Sequence, residues 1–194
     1  IKPIETATAG LQIKGNRLTA DGPTLRALIV AAFETNAYRL DYRLPESKQG
    51  YRVSVVVPPE QEAELLSVFQ QMLSVTFGIS ADWQKQERPV YVLRRTFPEA
   101  PAESTASELE AWMLQGRLHA INQPLELLCD YLTELLERPV VDETGLKSQY
   151  DRDLSFQPGA PSVLFEALEE QLGLSVFPAT RRIEMLVVEK DKQP

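Results

Sequence analysis

The sequence predicts an α+β protein built from two tandem homologous β-α-β-β-α-β-β modules, each a small mixed sheet with two helices. Three observations predict it. The tetrad Phe77-Gly78-Ile79-Ser80 returns as Leu172-Gly173-Leu174-Ser175. A shift of 95 residues carries Phe69, Leu73, Gly78, Val90 and Val92 onto Leu164, Leu168, Gly173, Met185 and Val187. A shift of 100 carries Leu18, Ala20, Leu25, Leu28 and Ala32 onto Leu118, Ala120, Leu125, Leu128 and Leu132. The expected modules are residues 11–96 and 117–190, joined by a linker over 97–116. Helices alternating with hairpin-like strand pairs favour helices packed on one face of each sheet.

Each element has its own reason. Leu11, Ile13, Leu18 and Ala20 flank Gly15-Asn16, as in a hairpin. Pro23 and Thr24 suit a helix start, and Leu25, Leu28, Ile29 and Ala32 share one face of a helix running to Phe33. Tyr38–Tyr42 reads as a short strand and Pro45–Gly50 as a polar turn. Tyr51, Val53, Val55 and Val57 alternate in a β-branched run that Pro58-Pro59 ends. A helix is expected from Glu60 to Thr76, with Leu65, Phe69 and Leu73 at helical spacing and Gly78 as its C-cap. Ile79–Gln84 and Val90–Thr96 read as two strands joined by a charged turn at Lys85–Arg88.

Phe97–Ser107, rich in Pro, Ala, Ser and Glu, reads as the linker proper. Glu108–Leu114 reads as a short helix carrying Trp112 and Met113. The second module then repeats the order. Leu118–Ile121 is a strand, Asn122-Gln123-Pro124 a cap and Leu125–Glu137 a helix. Val140–Val141 begins a strand, Asp142–Gln149 is a loop and Tyr150–Phe156 a strand. Ser162–Leu172 is a helix ended by Gly173, and Leu174–Pro178 and Ile183–Lys190 are the closing strands.

Composition narrows the function. With 43% hydrophobic and 25% charged residues the chain is an ordinary globular one. A net charge of −8 argues against nucleic acid, whose phosphates need clustered Lys and Arg. The charge is uneven: residues 11–96 hold 11 basic and 9 acidic groups, residues 117–190 hold 7 and 13. Different faces for the two modules follow. No apolar run reaches the ~20 residues that span a bilayer. The chain opens at Ile1 rather than Met, which we read as a mature chain whose leader has been removed.

Polar chemistry is sparse. The one cysteine, Cys129, sits among Leu127, Leu128 and Leu132 and reads as core filler; it permits neither an internal disulfide nor a redox pair. The one histidine, His119, cannot build a multi-histidine metal site. The nine glycines are scattered and form no phosphate loop. The best candidates for chemistry are Asp142, Glu143, Asp151 and Asp153. Asp142, Asp151 and Asp153 are candidate Ca²⁺ ligands, although their spacing matches no EF-hand. Asp142 before Thr144-Gly145 also suits a turn in which the carboxylate accepts from backbone amides. No catalytic residue and no cofactor is expected.

The run Arg138-Pro139-Val140-Val141-Asp142-x-Thr144-Gly145-Leu146, with Gln171-Leu172-Gly173-Leu174 and Glu184-x-Leu186-Val187-Val188 after it, resembles a family of uncharacterised "soil-associated" bacterial proteins. Gly15-Asn16-Arg17-Leu18 and Pro89-Val90-Tyr91-Val92-Leu93 fit the same pattern. The resemblance implies export, and for some members fusion to thioredoxin-like domains or to membrane-embedded peptidase-type sensors. More remotely, each module is similar to the short N-terminal domains of secretins and TonB-dependent receptors, which are periplasmic interaction modules.

The resulting expectation is a non-catalytic, extracytoplasmic binding protein, periplasmic or secreted, whose partner is a protein or a cell-envelope component. One alternative is an accessory or sensor segment of a larger polypeptide with a thioredoxin-like or membrane peptidase domain. A second is a hydrolase using the carboxylates near Asp142 and Asp151.

Overall fold

A computed structural model describes residues 1–4, 10–97, 102–114 and 116–191, and within them the chain is α+β. It divides into two compact units: residues 1–86 with the chain from Glu184 on, and residues 87–183.

In the first unit, β1 (Lys2–Ile4), β2 (Gly10–Lys14), β3 (Arg17–Thr24) and β5 (Gly50–Val56) form an antiparallel sheet in the order β1-β5-β3-β2. The β2–β3 hairpin turns at Gly15-Asn16 with Lys14 opposite Arg17; Gly15 has φ +53°, which a glycine adopts without a Cβ clash. Thr24 caps α1 (Leu25–Ala32) by accepting the Ala27 N–H at 3.3 Å. Tyr38 belongs to a 3-10 turn (Ala37–Arg39) rather than to the expected strand, because Asn36 Oδ1 accepts the N–H groups of Tyr38 and Arg39. The strand β4 is shorter, Leu40–Tyr42. Another 3-10 segment, Pro59–Glu64, replaces the first turns of the helix expected from Glu60. The α-helix proper, α2 (Leu65–Phe77), buries Leu65, Phe69 and Leu73 and ends on Gly78 in the left-handed region.

In the second unit, β7 (Glu110–Leu114), β8 (Arg117–Gln123) and β10 (Tyr150–Ser155) form a sheet in the order β10-β8-β7. Helices α3 (Leu125–Leu136) and α4 (Pro161–Leu172) complete it, with β9 (Val140–Asp142) between α3 and β10. The expected helix over Glu108–Leu114 is therefore a strand. Its register, Glu110 opposite Ile121 through Leu114 opposite Arg117, mirrors that of β2 on β3. Asn122 is not a helix cap: it sits at φ +52°, where the β8–β10 register slips. Residues 98–101 and 115 of the expected linker lie outside the described residues; residues 102–106 form neither helix nor strand.

The expected charged turn at Lys85–Arg88 does not exist, and the two expected closing strands are one. Strand β6 runs unbroken over Ile79–Arg95 and β11 over Leu174–Lys190. Their polar middles suit strands because solvent-facing positions need no apolar side chain. Pro89 and Pro178 are tolerated since β9 reaches β6 only at Tyr91–Leu93 and β4 reaches β11 only at Leu186–Val188. Elsewhere on that side the long strands have no ladder for a proline to interrupt.

The ends of these strands decide the cores. Leu93 packs with Leu118, Leu128, Leu132, Leu164 and Leu168 in the second unit. Leu186 and Val188 pack with Leu18, Leu28, Ile29, Phe69 and Leu73 in the first. The last strand of residues 11–96 thus finishes in the second unit, and that of residues 117–190 in the first. Residues 11–96 and 117–190 delimit the sequence pattern, and the compact units follow the strand ends instead.

Candidate functional site

The four acidic residues take separate partners. Asp142 Oδ1 accepts both the Thr144 N–H and the Thr144 hydroxyl at 2.7 Å, and Thr144 Oγ1 accepts the Leu146 N–H at 3.1 Å. Thr144 is buried, so this chain of bonds shapes the loop leaving β9. Asp142→Ala is expected to lower stability by roughly 1 kcal/mol, the scale of a lost turn or cap bond. Thermal melts with Ca²⁺ and with EDTA check it; a melting point untouched by the mutation, or raised by Ca²⁺ in the wild type alone, contradicts a turn role.

Glu143 lies between Arg94 and Arg181, accepting from Arg94 Nη2 at 2.6 Å and from Arg181 Nη2 at 3.2 Å. Hydrogen bonds from Arg181 and then Arg94 hold its carboxyl at about 2. The folded state binds that proton more weakly than the unfolded chain. The stability this carboxylate contributes is therefore present above its ordinary 4.5 and lost as pH falls toward about 2. Asp151 accepts from Ser104 and from the Asn122 N–H, at 2.9 Å for the latter, and these bonds lower its pKa.

Asp153 meets His119 Nδ1 at 2.7 Å, and the imidazole stacks on Trp112 at 5.4 Å. The bond to Asp153 raises the His119 pKa above 6.5. Protonation therefore favours the folded chain fully below pH 6.5, and that contribution fades as pH rises through the raised value. An NMR titration of the His119 ring is expected to give an elevated midpoint that Asp153→Asn returns toward 6.5; equal midpoints in both proteins would refute the pairing. Among the described residues, no group of three or more His, Cys, Asp or Glu side chains could hold a metal ion. Cys129 is buried on α3, in the second unit's core.

The residue that the sequence reading overlooked is Arg152. Along β10 the chain alternates, so Tyr150, Arg152 and Leu154 face inward while Asp151, Asp153 and Ser155 face out. Arg152 is only 6% exposed. Its Nη2 donates to the Gln123 and Pro124 carbonyls, both at 2.8 Å, just ahead of α3. Its Nε and Nη1 are buried with no hydrogen-bond partner. Burial pushes the guanidinium pKa down. Arg152 lines a cleft of about 390 Å³ in the second unit. Buried Leu125, Leu146, Tyr150 and Leu174 form the floor, and exposed Arg95, Asp151 and Glu170 stand at the rim. The signal was present: strict alternation in Tyr150–Leu154 sets an arginine among inward positions.

Residues 26–190 match the family described as "Protein of unknown function (DUF3738)". The chain belongs to that family. No curated protein and no solved structure matches it. Among the described residues, the buried side-chain polar atoms without a hydrogen-bond partner are Thr35 Oγ1 and the Nε and Nη1 of Arg152. No helix among them is long and apolar enough to cross a membrane.

Proposed function

We propose that this chain is a non-catalytic, extracytoplasmic binding protein that recognises a protein or a cell-envelope component through the cleft of its second unit. The observation that carries the reading is Arg152, a buried cation with two unpartnered nitrogens, Nε and Nη1, beside a leucine-lined cleft. Buried donors are costly unless something accepts from them. A fold that needed only packing would place an aliphatic side chain there. The acidic residues favour binding over hydrolysis, because Asp142 is engaged in its loop and Asp151 and Asp153 each hold another partner.

The resemblance to exported bacterial proteins supports an extracytoplasmic location. The matching offsets of 95 and 100 residues support a descent from two copies of one module, and the remote resemblance of each to secretin and TonB-receptor modules supports an interaction role. A bait comparison tests the function. Envelope extract passed over immobilised wild type is expected to yield a partner that Leu174→Trp, which fills the cleft, no longer retains. Equal capture by both proteins, or by neither, would defeat the reading.

A further inference from the structure

We propose that the cleft of the second unit is a carboxylate-binding site, with the Arg152 guanidinium holding the anion and the leucine floor taking an apolar stem. This rests on the reading of the chain as a binding protein and names the ligand class of that same cleft.

The sheet registers make the case. In the first unit Val53 stands opposite Ala20, and in the second Arg152 stands opposite Ala120. Val53 is 2% exposed and belongs to the core. An aliphatic side chain therefore suffices at this position, where an inward strand residue lies under the helices. Arginine at the corresponding place buries a charge, and a buried cation is destabilising unless it is paired and hydrogen-bonded. The Gln123 and Pro124 carbonyls occupy Nη2 alone. Nε and Nη1 remain, closed off from solvent and without a partner; both are donors only, so an acceptor that reaches them by displacing their covering side chains is their complement. An anionic oxygen also answers the charge, which a neutral carbonyl does not.

The surroundings fix the rest of the ligand. A volume of about 390 Å³ is in the range of small-ligand sites. Of the floor residues, Leu125, Leu146 and Leu174 are hydrocarbon and Tyr150 adds a ring with one hydroxyl, so a carboxylate on an apolar stem fits it. The rim is mixed in sign, with Arg95 against Asp151 and Glu170. Selection for an anion therefore falls to Arg152, the buried cation among the lining residues. A fatty or aryl acid and the free C-terminus of an apolar peptide share this chemistry.

Titration calorimetry on the full chain tests it with four probes: octanoate, octanamide, acetyl-Leu-Leu with a free carboxylate, and the same peptide as its amide. At least one acid is expected to bind saturably, with its amide weaker by about tenfold or more, the scale of one charge-assisted hydrogen bond. Octanoate alone identifies a free acid as the source, and the peptide alone a chain terminus. Arg152→Met, which keeps length and apolar volume, is expected to abolish the preference for acid over amide. Saturable binding by neither acid, or amides as tight as acids, overturns the proposal, as does unaltered acid preference in a cooperatively melting Arg152→Met. Should that variant fail to melt cooperatively, the comparison of acid with amide on the wild type decides alone. Acid and amide binding equally would sink carboxylate recognition yet leave the cleft a binding site. Loss of the Leu174→Trp effect on envelope capture would sink the binding reading itself.

Discussion

Leu73→Ala and Leu168→Ala are each expected to lower unfolding stability by about 2–5 kcal/mol, the range for removing a buried leucine side chain where the walls only partly relax. Leu73 is 1% exposed on α2 and Leu168 0% exposed on α4. Each packs in its own unit's core, Leu73 with Phe69 and Leu28, Leu168 with Leu164 and Leu128. Chemical denaturation of both variants measures the effect, with Val75→Ala as the control. Val75 lies on α2 two residues beyond Leu73 but is 85% exposed, so its truncation should stay within about 0.5 kcal/mol. Near-wild-type stability for both leucine variants would mean that the buried faces of these helices are wrongly assigned.

Those leucines were legible because helical spacing marks a face without knowledge of what covers it. The same holds for Gly78 and Gly173, both left-handed at helix ends, and for the Asp142 turn, which closes within a few residues. Local chemistry decides such features. Elements decided by distant neighbours were misread. The charged stretch Lys85–Arg88 looks like a turn, yet it is strand because β6 has a long neighbour to lie against. Glu110–Leu114 shows helix-like apolar residues but follows β8 as an edge strand. The shift of 100 residues that carries Leu18 onto Leu118 also carries β2 onto β7, so that sequence offset held information that the local pattern hid. Of the candidate site, the carboxylates stood out in the sequence because they are charged. Arg152 did not, since one arginine between two aspartates looks like solvated surface until strand alternation is applied.

The largest departure from the repeat boundaries concerns which core each long strand completes, and charge helps to specify it. In the first unit the Arg43 N–H donates to the Val188 carbonyl and its guanidinium to Glu189 at 3.0 Å and Asp41 at 3.0 Å. In the second unit the Glu143 N–H donates to the Leu93 carbonyl while its carboxylate accepts from Arg94. The backbone bonds correspond and the signs are reversed. Were each short parallel strand to pair within its own repeat, Arg43 would face Arg94 and Glu143 would face Glu189. Like charges at that spacing disfavour the alternative, a device of specificity rather than of strength, since half-exposed ion pairs contribute only about 0–1 kcal/mol.

Hydrogen exchange on Leu93→Ala and Leu186→Ala gives the decisive expectation. Both side chains are 0% exposed, and each truncation should cost about 2–5 kcal/mol. The loss of protection should follow the core and not the repeat. Leu186→Ala is expected to loosen amides of α1, β3 and β5, because Leu186 lies in register with Leu40 and packs with Leu28 and Phe69. Leu93→Ala is expected to loosen α3, β8 and β10, because Leu93 lies in register with Asp142 and packs with Leu118 and Leu132. Sequence boundaries at 11–96 and 117–190 imply the reverse, with Leu93 supporting α1 and Leu186 supporting α3. Exchange that rises first in α1 for Leu93→Ala would show that the strand ends close on their own repeats. A rise confined to α3 and its sheet would establish that each core is finished by the final strand of the other half.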